Sequence, residues 1–509
     1  MSFAKTLSAQ LTGLDAEIVT VEVDVSKGLN SFSVVGLPDK AVEEARDRVG
    51  SALKNSGFTS PKELNAKTVV SLAPANLKKT GPIFDLAIAL AFLLANEEIY
   101  FNPQKKAFIG ELSLDGELRS VNGVLPLVSE LRAQGFREVY IPEANSTEAA
   151  LVSGIKVFPV KNLKQLINHL DTSIARGGDI IPAPPTKIKQ TTAQNTVLLD
   201  DIRGQDHAKR GLIIAASGGH NIALFGPPGT GKTMLAKALA SILPPLSPEE
   251  ILETTAIHSV AGELDKNGLQ LNPPVRSPHH TASYVAIVGG GASIKPGEVT
   301  LAHRGVLFLD EFPEFDKRVI NSLRQPLEDG YVSITRAVGS VKFPSQFILI
   351  VAMNPCPCGY APSDRCTCTQ YSIEKYRSKI SGPIMDRIDM WLEVGAIDFN
   401  ELSKTKVHSS KETEKAKELV QIARAIQSNR FKKPGRINAG MSVRGIEAHA
   451  KLGKNERNLL NTASKNAGLS PRAYHRVIKL ARTIADLDKS EDIKEAHLLE
   501  ALSYRPKDF

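Results

Sequence analysis

Residues 226–233 read Gly226-Pro227-Pro228-Gly229-Thr230-Gly231-Lys232-Thr233, a full match to the pattern GxxxxGK[ST]. A strand-like run, Asn221 to Phe225, leads in, and a helix-forming run, Met234 to Leu243, leads out. Glycines at 226, 229 and 231 let the backbone turn tightly, so that successive N–H groups and the helix N-terminus point at phosphates. Lys232 is then placed to neutralise the β- and γ-phosphates of ATP, and the Thr233 hydroxyl to ligate Mg²⁺. A strand, a glycine loop and a helix in that order predict an α/β fold around a parallel sheet.

Moving outward, GVLFLDE sets four apolar residues, Val306 to Leu309, before Asp310 and Glu311. That is the pattern of a buried parallel strand delivering acids at its C-terminal end, where open α/β sheets bind ligands. Asp310 would hold Mg²⁺ through water, and Glu311 would orient or deprotonate the attacking water, which points to a hydrolase. FILIVAMN ends a second apolar strand in Asn354, a polar tip suited to positioning the same water; taken alone it would be a strand-end cap. Just beyond it, Cys356, Cys358, Cys366 and Cys368 form C-x-C, seven residues, C-x-C, and they are the chain's four cysteines. Four thiols in so short a span rule out a disulfide framework spread over the fold. They suit a soft-metal tetrathiolate, most often Zn²⁺, stapling a loop, with a reduced, metal-free loop as the alternative.

The 509 residues, 42% of them hydrophobic and 23% charged, are enough for two or three cores and exclude a wholly disordered chain. The longest apolar run, Leu86 to Ala95, is about half the ~20 residues needed to span a bilayer. No membrane helix and no export signal are expected, which predicts a cytoplasmic, reducing setting. Strand-like and helical stretches alternate through 1–175, read as an α/β domain. Pro- and Gly-rich 176–195 read as a linker, 196–400 as the nucleotide-binding core and 401–509 as a helical domain. The net charge of +8 is uneven: residues 401–509 carry 23 basic and 13 acidic side chains, a surplus of ten. Such a surplus suits an anionic partner, or a solvated helical face.

The P-loop, LFLDE at 307–311, Asn354, SGPIMDRID at 381–389 and SPRAYHR at 470–476 together resemble AAA+ ATPases of the helix-2-insert group. That group includes the Mg-chelatase I subunit and the MCM helicases. The resemblance to the Mg-chelatase-like ComM/YifB family covers almost the whole chain. It implies an AAA+ core with a helix-2 insert and a C-terminal helical lid. It also implies Arg387 as an arginine finger reaching the ATP of a neighbouring subunit and Arg472 as a lid-borne sensor of the γ-phosphate, with Arg476 as its competitor. An ordinary surface salt bridge is the alternative for both arginines.

Two insertions resemble pore-lining elements that contact DNA in MCM proteins. One, residues 276–305, carries Arg276, His279, His280 and Lys295 around Gly289-Gly290-Gly291; the other, 330–345, reads as a hairpin with Arg336 near its tip and Lys342 on the return. Such cations suit sequence-independent gripping of a phosphate backbone. The histidine pair has no third ligand at metal spacing and reads as structural. Residues 72–128 resemble a Lon-protease-type domain, but Ile83 and Leu125 stand where a Ser–Lys dyad would be, so a scaffold is expected, with Lys78 and Lys79 as candidate contacts. The resemblance implies a homo-oligomer, expected to be hexameric, that uses ATP and Mg²⁺ to drive branch migration of DNA during natural transformation. The alternative is a chelatase-type remodeller of a protein partner.

Overall fold

The computed structural model describes residues 2–173, 179–188, 197–264, 268–291, 294–336, 339–395, 411–433 and 435–506. Contacts divide the chain into two compact units, Met1–Lys189 with Leu252–Gln270, and Gln190–Ile251 with Leu271–Phe509. The sequence reading assigned 252–270 to the nucleotide-binding core; they pack instead with the first unit, where the Gly123 backbone N–H donates to Ser259 O at 3.1 Å and to Ser259 Oγ at 2.8 Å.

In the first unit, β1 (Ser2–Thr12), β2 (Asp15–Lys27), β3 (Ser31–Val35) and β4 (Ala66–Ala73) form a sheet ordered β1-β2-β4-β3. Its buried Val19, Val21 and Val23 alternate with half-exposed neighbours, the period-2 signature of a sheet covered on one face. Helix α1 (Asp85–Ala95) is buried all round, which fits its unbroken apolar run. A separate parallel sheet joins β5 (Lys106–Phe108), β6 (Glu138–Pro142) and β7 (Lys156–Val160).

Two expectations for this unit need correcting. Within the expected linker 176–195, the described residues 179–188 are not a free tether: Ile180 is buried, Ala183 N–H donates to Val157 O at 2.8 Å and Thr186 N–H to Ala150 O at 3.0 Å. Lys79 is not a surface contact either, because its side chain is fully buried and its ammonium donates to the Pro74 carbonyl. Lys78 is exposed. Leu125 is buried in an apolar cluster and Ile83 packs against that cluster, so both positions where a protease dyad would stand are hydrocarbon.

In the second unit, β8 (Ile222–Phe225), β9 (Val275–Arg276), β10 (Val306–Leu309), β11 (Ile348–Met353) and β12 (Met390–Glu393) form a parallel sheet ordered β9-β10-β11-β8-β12. Alternate residues point to opposite faces. Ile222, Leu224, Val306, Phe308, Ile350 and Leu392 enter one core, while Ala223, Leu307, Leu309, Leu349, Val351 and Trp391 enter another. Both faces are covered, hence the unbroken apolar runs.

The C-terminal helices run Glu412–Phe431, Val443–His449, Lys454–Asn466, Pro471–Leu487 and Glu495–Ser503. They share the first of these cores through Val420, Ala423, Val477, Leu480 and Leu498, so they do not separate from the sheet as a unit of their own. The expected hairpin is present as Tyr331–Arg336 paired antiparallel with Gly339–Pro344.

Candidate active site

The parallel sheet sorts the candidate residues by which end of a strand they occupy. At the C-terminal ends, β8 runs into the P-loop, β10 into Asp310 and β11 into Asn354. Gly229 and Gly231 sit at φ of +78° and +90°, a left-handed backbone that a side chain would strain. Helix Lys232–Ile242 starts directly after them and aims its N-terminus at the loop. Gly226 has no room for a side chain, because an added Cβ would lie 2.1 Å from the Val394 carbonyl oxygen.

Lys232 donates to the carbonyls of Gly226 (2.8 Å) and Pro227 (2.7 Å) and to Asn354 Oδ1 (3.0 Å). Burial holds its pKa below the usual lysine value, only partly offset by the negative charge of Asp310. Thr233 Oγ1 donates to Asp310 Oδ2 at 2.8 Å. A hydroxyl and a carboxylate in contact at a strand end are hard oxygen donors, the chemistry Mg²⁺ takes, so the residues present fit the ion. Glu311 is in the left-handed region at φ +51°, its carboxylate half-exposed and 3.3 Å from His280 Nδ1. The chain thus brings Lys232, Thr233, Asp310, Glu311 and Asn354 to one edge of one sheet.

Arg387 and Arg472 lie at the opposite edge. The Arg387 carbonyl accepts from Asn221 Nδ2 at 3.0 Å, at the start of β8, whereas Lys232 bonds Gly226, at its end. Five residues of strand separate these points by roughly 16 Å. The Arg387 guanidinium is buried and directed to the Pro383 carbonyl and to Glu328; Arg472, largely exposed, bonds the other Glu328 oxygen at 3.1 Å. Hydrogen bonding from Arg387 holds the Glu328 carboxyl below its ordinary pKa. The expectation that Arg472 senses a γ-phosphate is therefore not met at this chain's own P-loop; both arginines project from the far end of the sheet.

Arg476, the competitor, is committed to the core: it donates to the buried Asp389 at 2.7 Å, which also accepts from Asn221 N–H at 3.0 Å and lies 3.5 Å from His220. Burial alone would raise Asp389, but the charge of Arg476 and the bonds from His220 and Asn221 hold it far below the carboxylate range. Arg387, Arg472, Arg476, Lys479 and the partly buried Arg424 line a cavity of about 1140 Å³ at this edge. Sequence reading missed Glu328, which gathers Arg387 and Arg472 and whose one trace was charge beside the motifs in QPLEDG; His280, expected to be structural, lies beside Glu311 instead.

The remaining candidates divide. Arg276 is clamped by Glu298 through two bonds of 2.6 and 2.8 Å, so its charge is already matched. Lys295 is exposed beside the Gly290 pairing, and Lys342 is exposed with its ammonium 5.1 Å from the Tyr331 ring centre. The side chain of Arg336 lies outside the described residues. The four cysteine sulfurs all fall within 4.8 Å of one another, the one set of potential metal ligands to do so among the described residues.

A five-stranded parallel sheet with a P-loop, an Asp-Glu pair and a polar strand tip along one edge, joined to a helical C-terminal region, is an AAA+ core of Mg-chelatase type. Three family models match in succession: subunit ChlI of Mg-chelatase over 21–145, magnesium chelatase subunit ChlI over 198–402, and its C-terminal part over 410–505. The chain is 41% identical to competence protein ComM of Haemophilus influenzae over 99% of its length and 98% of that protein. It is 40% identical to YifB of Escherichia coli over 97% and 96%. It is also 25% identical, over 60% of its length and 36% of the relative, to the DNA replication licensing factor Mcm6 of Drosophila pseudoobscura pseudoobscura. The chain belongs to the Mg-chelatase-like ComM/YifB family of AAA+ ATPases. No helix among the described residues is long and apolar enough to cross a membrane.

Proposed function

We propose that this protein is an ATP hydrolase that assembles into a ring, with six subunits expected, and translocates on DNA in the cytoplasm, promoting branch migration of recombination intermediates in natural transformation. The observation that supports the reading is that the candidate residues fall into two groups at opposite ends of the parallel strands. Lys232, Thr233, Asp310, Glu311 and Asn354 would act on ATP held by their own chain, with Gly226 to Gly231 folded round the phosphates. Arg387 and Arg472 would complete the neighbour's site. ATP and Mg²⁺ are the cofactors; when bound, Mg²⁺ would neutralise phosphate charge beside Thr233 and Asp310. Glu311 would take a proton from the attacking water while Asn354 holds that water in place. Full-length similarity to a competence protein, and partial similarity to a replication licensing factor, support DNA as the partner. Lys342 and Lys295 are the contacts best placed, with Arg336 on the same hairpin as Lys342.

The test compares ATP hydrolysis and unwinding of forked or three-stranded DNA by wild type, Lys232→Ala and Glu311→Gln. Hydrolysis stimulated by DNA, with strand displacement lost in both variants, is expected. Hydrolysis that DNA neither stimulates nor couples to unwinding would refute the translocase.

A further inference from the structure

The cysteine loop forms part of the wall of the nucleotide site. Cys356 follows Asn354 by two residues and is fully buried. Gly359, at φ +87°, backs onto the P-loop so closely that an added Cβ would lie 2.7 Å from Pro228 Cδ and 3.9 Å from Asn354 Cγ. After the loop, Tyr376 is buried, with the Asn354 backbone N–H directed at its hydroxyl. Asn354 thus meets Lys232 on one side and the cysteine loop on the other.

Residues 355–369 contain no helix or strand; their internal backbone support is a few turns, Gly359 N–H to Cys356 O (3.0 Å), Ser363 N–H to Tyr360 O (2.8 Å) and Cys366 N–H to Ser363 O (2.9 Å). A segment with so little regular bonding needs another constraint to hold a fixed shape. The sulfurs supply a candidate. Cys356, Cys358 and Cys366 lie 3.3, 3.7 and 3.6 Å apart pairwise. Four thiolates around Zn²⁺ at about 2.3 Å stand about 3.8 Å from each other, so little movement would close a tetrahedron.

We infer that Cys356, Cys358, Cys366 and Cys368 bind one zinc ion as a closed tetrathiolate, and that this ion positions Asn354 and Pro228 in the nucleotide site. The metal is structural, since four thiolates leave no position for water or substrate. Its effect on hydrolysis is indirect, through the placement of Asn354. The second half of the inference rests on the nucleotide reading above.

The experiment uses the full chain, purified without added metal or chelator. Zinc content is expected near one ion per chain in wild type and near zero in Cys366→Ser/Cys368→Ser, the pair farther in sequence from Asn354. Loss of an orienting constraint costs about 10- to 100-fold, expected in ATP turnover, while the affinity for a fluorescent ATP analogue changes by less than about threefold. A zinc-selective chelator in excess Mg²⁺ provides the same comparison on wild type should the double variant fail to fold, and turnover should return when zinc is restored. Iron in place of zinc, no metal, or full metal retention in the double variant overturns the metal centre. Zinc loss with unchanged turnover overturns the coupling. A wild type that holds zinc but does not bind ATP overturns the nucleotide reading and the coupling with it, leaving the metal centre alone.

Discussion

Removing Arg387 tests whether the two edges of the sheet belong to different catalytic sites. Its guanidinium points to Glu328 and Pro383, roughly 16 Å of strand away from the P-loop, so it cannot reach ATP in its own chain without dismantling β8 and β12. Arg387→Ala should lose about 10³-fold or more in turnover, the range for a finger supplied across an interface. The stability cost should be small, about 1 kcal/mol, because the partner Glu328 is half-exposed. Lys232→Ala should be inactive for a separate reason, loss of phosphate neutralisation. When the two inactive variants are co-assembled, an intact P-loop meets an intact arginine at about a quarter of interfaces in a random 1:1 ring, so about a quarter of wild-type turnover should return. Phosphate release is measured at constant total chain while the ratio is varied; a maximum at equal amounts is expected. No recovery at any ratio, with co-assembly verified, would refute action across an interface, and so would Arg387→Ala at wild-type turnover.

Three further outcomes follow from the geometry. Glu311→Gln should keep ATP affinity while turnover falls about 10²- to 10⁴-fold, the contribution of a general base; equal loss of binding and turnover would remove Glu311 from that role. Gly226→Ala places a methyl 2.1 Å from the Val394 carbonyl and should cost about 1–3 kcal/mol in denaturant unfolding of the second unit; an unchanged midpoint would contradict the close approach. Asp389, held below its ordinary 3.8 by Arg476, His220 and Asn221, stabilises the fold fully above that value and loses the contribution as pH falls through and below it. Asp389→Asn should therefore be destabilised by about 3 kcal/mol at neutral pH, with the gap to wild type closing below about pH 4; a gap independent of pH would be inconsistent with the depressed carboxylate.

Much of the nucleotide edge was legible because its signals are local. A P-loop lies within eight residues, and each of its glycines answers to a backbone angle or a close approach. The apolar runs before Asp310 and Asn354 announce strands covered on both faces. The misses share a cause. Lys79 resembles any surface lysine until a backbone carbonyl receives it in the interior. Residues 180–186 have linker composition, yet the N–H groups of Ile180, Ala183 and Thr186 donate to partners in the first unit. Leu252–Gln270 sits between two motifs of the core in sequence but packs elsewhere, which no local pattern encodes.

The sequence by itself determined the family, the order of the elements and the identity of the groups at the P-loop edge, since backbone propensity and hydrophobic period act over a few residues. Only the tertiary structure decided that Arg387 and Arg472 share Glu328 at the far end of the sheet, that Arg476 is committed to Asp389, and that the cysteine loop lies against Pro228. Those facts depend on which strand lies beside which and on which end of a parallel strand each loop leaves, relations between residues tens to hundreds of positions apart. Parallel pairing sends all these strands the same way, so a residue before a strand and one after it are separated by its whole length, however close they stand in the chain.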